Sequence, residues 1–175
     1  MLTLEQLSVL VESNRAAASA RIKEFSLGGR KFAFNSQPAI MGVVNLSADS
    51  WYRESVCLTT ETAVQRGKML AAQGAQIIDV GAESTLAHAA RVGNAAQKSK
   101  LIPVIKALRK EKILVSVETY SPAVTRASLE AGANILNLTG PPARRRFSNW
   151  SPITMRRLSS ATSPAKTFAR SAISI

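Results

Sequence analysis

One cysteine and one histidine stand in a chain of 175 residues. An internal disulfide is therefore excluded, and so is any metal site built from several histidines. Cys57 has no histidine motif beside it and reads as a packing or surface thiol; His88 reads as a loop residue. Aromatic residues make up only 5% of a chain that is 46% apolar, so a core must come from Ala, Val, Ile and Leu. No run approaches the ~18 apolar residues that a membrane span needs. The N-terminal MLTLEQLSVLVESNR lacks the basic start and small-residue cleavage site of a secretory signal. A cytoplasmic location is the resulting expectation. Gly28-Gly29 opens no GxGxxG phosphate loop, which removes the usual signal of a dinucleotide site.

Acidic residues are scarce at one end only. Residues 1–140 hold 16 basic and 11 acidic side chains, whereas 141–175 hold 7 basic and none acidic. Most of the net charge of +12 thus sits in the last fifth of the chain. A basic tail can meet phosphates. Arg144-Arg145-Arg146 lacks the interleaved aromatics of single-strand binders, so nucleic acid is not the expected partner. The mildly basic remainder suits anionic small molecules.

What is present is a rhythm. Residues 3–23 read as an amphipathic helix, from Leu4 and Leu7 through the helix-favouring Ala16 to Ala20. EFSLGGRKFAF reads as a hairpin turning at Gly28-Gly29. Four short apolar runs follow: AIMGVVNL, AQIIDVG, ILVSVET and ANILNLTG. Three helical patterns separate them. The first has Thr60 as its expected N-cap and Gly74 past its end. The second carries Leu101, Val104, Ile105 and Leu108, with Pro103 expected to kink or restart it. The third has Ser121 at the N-cap and Pro122 at the first helical position.

Near-continuous apolar strands alternating with helices predict a parallel sheet buried on both faces. The expected fold is α/β, a partial (β/α)8 TIM barrel of about four parallel strands. An N-terminal helix and hairpin (1–34) precede it, the barrel's first half fills 35–140, and a basic Ser/Arg/Pro-rich tail occupies 141–175. Polar residues cluster where each strand ends: Asn45; Asp79 with Glu83, Ser84 and Thr85; Glu118 with Thr119; and Asn137. In a (β/α) barrel those ends share one face, and active sites lie there.

IMGVVNLSADS, IIDVGAEST, VSVETYSPAV and ANILNLTG resemble, in order and spacing, four segments of the dihydropteroate synthase family. The family usually writes them MGxxNxTPDSF, DxGGEST, SVDTxxxxV and a strand ending in IND. The resemblance covers roughly residues 30–140. It implies a transferase that joins p-aminobenzoate to a pterin diphosphate and releases pyrophosphate. It also implies Mg²⁺, which Asn45 would help to hold together with the pyrophosphate. Thr85 would lie near p-aminobenzoate, Glu118 and Asn137 would bind the pterin, and Asp79 and Glu83 would support that strand end. A homodimer is open to the complete barrel. The chain departs from the pattern at Ala48, Trp51, Leu86 and Glu118, where the family usually has Pro, Phe, Arg and Asp. Leu86 and Glu118 leave another amine substrate open.

After Gly140 the rhythm stops. Residues 141–175 read either as a disordered basic tail or as the product of a frameshift near residue 141. With permitted codons, the neighbouring frame between Arg144 and Ser174 can encode a helix and a strand. Either way four strands do not close a ring that takes ~250 residues. Open strand edges lead to the expectation of a polypeptide that aggregates or needs a partner, and that is inactive by itself. Two other readings stand beside the synthase: a pterin- or folate-binding methyltransferase-type domain, and a non-catalytic product of a pseudogene or a basic-tailed binder. The SADSW loop after Asn45 favours the synthase. Resequencing the coding DNA across codons 138–145 tests the frameshift. A one- or two-base correction should restore strand and helix periodicity downstream; an unchanged frame leaves the basic tail as written.

Overall fold

A computed structural model of the chain describes residues 3–84, 86 and 89–137. Thr85, His88 and the tail, including Arg144 to Arg146, for which the sequence sets expectations, lie outside those residues.

Helix α1 (Leu4–Ser13) opens the chain with a capping box, in which Thr3 and Gln6 bond to each other's backbone N–H. It was expected to run on to residue 23, but it breaks at Asn14. A four-residue turn, α2 (Arg15–Ala18), follows. The reason is local. The Ser13 hydroxyl donates to the Val9 carbonyl and the Asn14 amide to the Leu10 carbonyl, so side chains take the acceptors that end the helix. No α1 residue is buried, so nothing outside the helix overrides that preference.

Strands β1 (Phe25–Leu27) and β2 (Arg30–Phe32) form the expected antiparallel hairpin. Gly28 and Gly29 both have positive φ, 56° and 82°, which the two-residue turn requires. A Cβ on Gly28 would collide with Leu114, so the turn packs directly against the main sheet.

That sheet has four parallel strands in the order β3 (Met41–Asn45), β4 (Ile77–Gly81), β5 (Leu114–Glu118) and β6 (Ile135–Asn137). Helices α3 (Thr60–Ala72), α4 (Asn94–Lys110) and α5 (Pro122–Glu130) connect them. Alternation along each strand separates two faces. Val44, Ile78, Val80, Val115 and Val117 point to the helices and are fully buried, together with Leu101, Val104, Ile105 and Leu108 of α4. Burying each such side chain contributes roughly 1.5–3 kcal/mol. The opposite face carries three rows. Met41, Ile77 and Leu114 form the lowest; Val43, Asp79, Ser116 and Ile135 the middle; Asn45, Gly81, Glu118 and Asn137 the top. The hairpin covers the lower part, where Leu27 and Phe32 pack with Leu114, Ile77 and Ile135.

Two further expectations are corrected. The N-cap of α3 is Thr59, which shares a capping box with Thr62, and Thr60 is the first helical residue. Helix α4 runs through Pro103 without a restart. Pro103 and Ser99 both lie on the exposed side, so the carbonyl that loses its N–H partner faces water. Meanwhile Leu101, Val104 and Ile105 hold both sides of the proline in the core. Cys57 is buried, as a packing thiol would be.

Candidate active site

Parallel pairing in unbroken register does most of the assembly. Asn45 is aligned with Gly81, Gly81 with Glu118, and Glu118 with Asn137. Four residues separated by up to 92 positions therefore form one row at the carboxyl ends of the strands. Asp79 lies one row below on the same face. Of the residues expected to form a site, Asn45, Asp79, Glu118 and Asn137 come together; Thr85 is outside the described residues.

Gly81 makes the row possible. A Cβ there would stand 3.2 Å from Glu118 Oε2 and 3.5 Å from Asn45 Oδ1. Its absence lets the Glu118 carboxylate and the Asn45 amide approach over β4. The Asn45 side chain is held from the other side. Its Nδ2 donates to Ser55 Oγ at 2.6 Å, and Ser55 Oγ donates to the Tyr52 carbonyl at 2.6 Å. The loop returns along the strand, with the Cys57 N–H donating to the Asn45 carbonyl at 2.8 Å. These bonds leave Asn45 Oδ1 beside Gly81.

Asp79 is 4% exposed. Its Oδ2 accepts from Asn137 Nδ2 at 3.0 Å, while its Oδ1 has no hydrogen-bond partner among the described residues. Burial pushes its pKa above the ordinary aspartate value; Ser116 and Asn137 oppose that by favouring the charged form. Ser116 lies near enough to favour the charge, yet its hydroxyl completes no well-formed bond. The middle row thus offers an unmet acceptor and an unmet hydroxyl, as a floor awaiting donors would.

Gln97 was missed by reasoning from the sequence. It is buried on α4, and its Nε2 donates to Glu83 Oε2 and to the Val92 carbonyl, both at 2.8 Å. Its Oε1 accepts from Thr119 Oγ1 at 3.1 Å. One turn on, Lys100 Nζ donates to the Leu46 carbonyl at 3.2 Å. Helix α4 therefore ties together the segments that follow β3, β4 and β5. The signal was present: Gln97 precedes Leu101, Val104, Ile105 and Leu108 on the same apolar stripe. A polar residue there has to be satisfied from inside.

A cleft of about 360 Å³ opens beside this rim, between the loops after β3 and β4. Ala48, Trp51, Leu86 and Ala89 contribute to its lining. Arg53 also lines it, with its guanidinium donating to the Ala48 carbonyl at 2.6 Å. Among the described residues no group of three or more His, Cys, Asp or Glu could cage a metal. No described helix is long and apolar enough to cross a membrane.

Half a (β/α)8 barrel with a polar rim and an acidic floor defines the class of the protein. A family described as pterin binding enzyme matches residues 41–140, and the chain belongs to that family. The dihydropteroate synthase of Streptococcus pyogenes is 41% identical over 108 residues, which are 61% of this chain and 41% of the relative. The mitochondrial folate synthesis bifunctional protein of Arabidopsis thaliana is 33% identical over 115 residues, 63% of this chain and 21% of the relative. Among solved structures, Xanthomonas albilineans dihydropteroate synthase with 4-aminobenzoic acid is similar with a TM-score of 0.58 and 33% identity, over 72% of this chain and 48% of that one. The Coxiella burnetii dihydropteroate synthase in complex with pteroic acid gives 0.56 and 31%, over 67% and 41%. The chain spans less than half the length of these relatives.

The buried Asp79 yields a stability prediction. Its folded pKa is raised, so the folded chain holds that proton more tightly than the unfolded one. Stability from this group is full below the ordinary aspartate value and falls as pH rises through the folded value. Asp79→Asn should therefore raise the thermal midpoint at neutral pH, and the gain should shrink as pH drops below the ordinary aspartate range. Thermal melts across pH 3 to 8 check this; a gain that grows toward acid would contradict it.

Proposed function

We propose that this chain carries the pterin-binding portion of a dihydropteroate synthase-type transferase of folate biosynthesis. That enzyme condenses a pterin diphosphate with p-aminobenzoate and releases pyrophosphate. The observation that carries the reading is the Asn45–Gly81–Glu118–Asn137 row above Asp79.

A pterin edge presents ring N–H and amino donors beside acceptors. Glu118, as a carboxylate, accepts two such donors, and charge-assisted bonds of this kind are the strong ones. The Asn137 amide both donates and accepts. Asp79 lies beneath them and accepts from Asn137. The extra methylene of Glu118, relative to the family's aspartate, carries its carboxylate about 1.5 Å further over the site. Gly81 leaves the room for it. The cleft lined by Trp51, Leu86 and Ala89 adjoins this rim and is the place we assign to the aromatic amine. Thr85 belongs to the same segment and is assigned to it on the family pattern alone.

The donor set fits a weakly caged Mg²⁺. That ion takes oxygen ligands, keeps several waters and is commonly held by one or two protein groups plus phosphates. Asn45 Oδ1, freed by the bond from Nδ2 to Ser55, is the protein oxygen in position. When bound, Mg²⁺ neutralises charge on the departing pyrophosphate. Asn45 orients that end of the substrate, and Glu118 with Asn137 holds the ring.

Isothermal titration with 6-hydroxymethylpterin diphosphate tests the proposal. Binding should strengthen when Mg²⁺ is added, and Asn45→Ala should remove that enhancement. Glu118→Gln should weaken binding by about 10- to 100-fold, the worth of a charge-assisted bond. The 175-residue chain should release no pyrophosphate on addition of p-aminobenzoate. Binding indifferent to both the diphosphate and Mg²⁺ would point to the methyltransferase-type reading instead.

A further inference from the structure

The bond between Asp79 and Asn137 crosses the sheet in an uncommon way. Asp79 lies on β4 and Asn137 on β6, with β5 between them. Asp79 pairs in register with Ser116, while Asn137 pairs one row higher with Glu118. The 3.0 Å contact thus passes diagonally over Ser116, whose hydroxyl lies close to Asp79 and favours its charged form. In this contact Oδ2 is the acceptor and the amide nitrogen the donor, so the facing amide takes one orientation. Asn137 must turn Nδ2 toward Asp79.

We propose that Asp79 is the positioning residue that sets the donor–acceptor polarity of Asn137. With Nδ2 committed downward, Asn137 offers Oδ1 and the second Nδ2 hydrogen to a ligand in a fixed arrangement. Without Asp79 the amide turns over freely, and half of its orientations present a donor where an acceptor is needed. A ligand ring with a neighbouring donor and acceptor is recognised only in the fixed state. The ordering cost is met in the folded chain before the ligand arrives. This rests on reading the rim as a pterin-ring site. Asn45 and Glu118 hold the ligand directly in that reading; Asp79 acts through Asn137.

Two measurements on the 175-residue chain separate this proposal from the reading beneath it. The first needs no ligand. In a ¹⁵N-labelled sample one Asn137 Nδ2 hydrogen should exchange slowly with water. Asp79→Ala should speed that exchange at least about tenfold, the order of one net hydrogen bond. Asp79→Asn should stay within about threefold, because an amide oxygen at 79 still accepts. The second is fluorescence titration with 6-hydroxymethylpterin. Asn137→Ala should weaken binding about tenfold and Asp79→Ala about twofold, the cost of leaving half of the amide orientations incompetent, and the double variant should be no weaker than Asn137→Ala alone. Asp79→Asn should recover most of the affinity. Should Asp79→Ala not fold, Asp79→Ser carries the same comparison. Additive losses, an unchanged exchange rate in Asp79→Ala, or no recovery in Asp79→Asn overturns the proposal. A protected Asn137 amide in a chain that binds no pterin overturns the site reading and the ligand half of the proposal, while the pairing itself stands.

Discussion

Parallel pairing of β3 to β6 in one continuous register is the constraint from which the site follows. Side chains along a strand alternate between faces, so a slip of one residue in any strand would send its whole inward set to the helices. Asn45, Glu118 and Asn137 would then face the apolar layer, and Val44, Val117 and Leu136 the bore. The helix-facing side resists this strongly. Val44, Ile78, Val80, Val115 and Val117 are fully buried against α3, α4 and α5. Placing a carboxylate or amide among them without partners would cost several kcal/mol each. The apolar face therefore holds the polar face in position.

The two ends of the inner face are treated differently for a physical reason. At the lower end the hairpin folds across the strands and closes the apolar row with Leu27 and Phe32. At the upper end the chain leaves the strands through loops whose polar groups need satisfaction. Much of it comes from α4, through Gln97 and Lys100. A helix that packs on the outside of the sheet thus reaches over its carboxyl rim and ties three strand exits together. Rigidity at the rim is inherited from the core of α4, where Leu101, Val104, Ile105 and Leu108 are inaccessible to water.

Asp79 is the costly element of the arrangement. A buried carboxylate with one free oxygen is disfavoured in its charged form, and nothing in the packing compensates it fully. Such groups persist where a ligand or a neighbour needs an acceptor at a fixed place. The bond from Asn137 supplies part of the satisfaction, and in return it fixes the orientation of that amide. The divergent Glu118 is consistent with the same geometry, since Gly81 clears the volume that a longer carboxylate needs.

Much was legible from the chain alone. Strand-length apolar runs separated by capped helical patterns announced the α/β alternation, because periodicity and caps are local properties. The hairpin was legible because Gly28-Gly29 is a local turn signal. The rim residues were legible because their types recur at strand ends in a family order. Other features depended on distant parts of the chain. The break at Asn14 required knowing that α1 buries nothing, and the continuity of α4 through Pro103 required knowing which side meets water. Gln97 acquired its role only when Glu83 and Thr119 arrived from two other strand ends. The bond between Asp79 and Asn137 spans 58 positions and depends on the relative height of β4 and β6. Local sequence determined which segments became strands and helices; the register of those strands, a collective result of burying one face, decided which polar atoms meet.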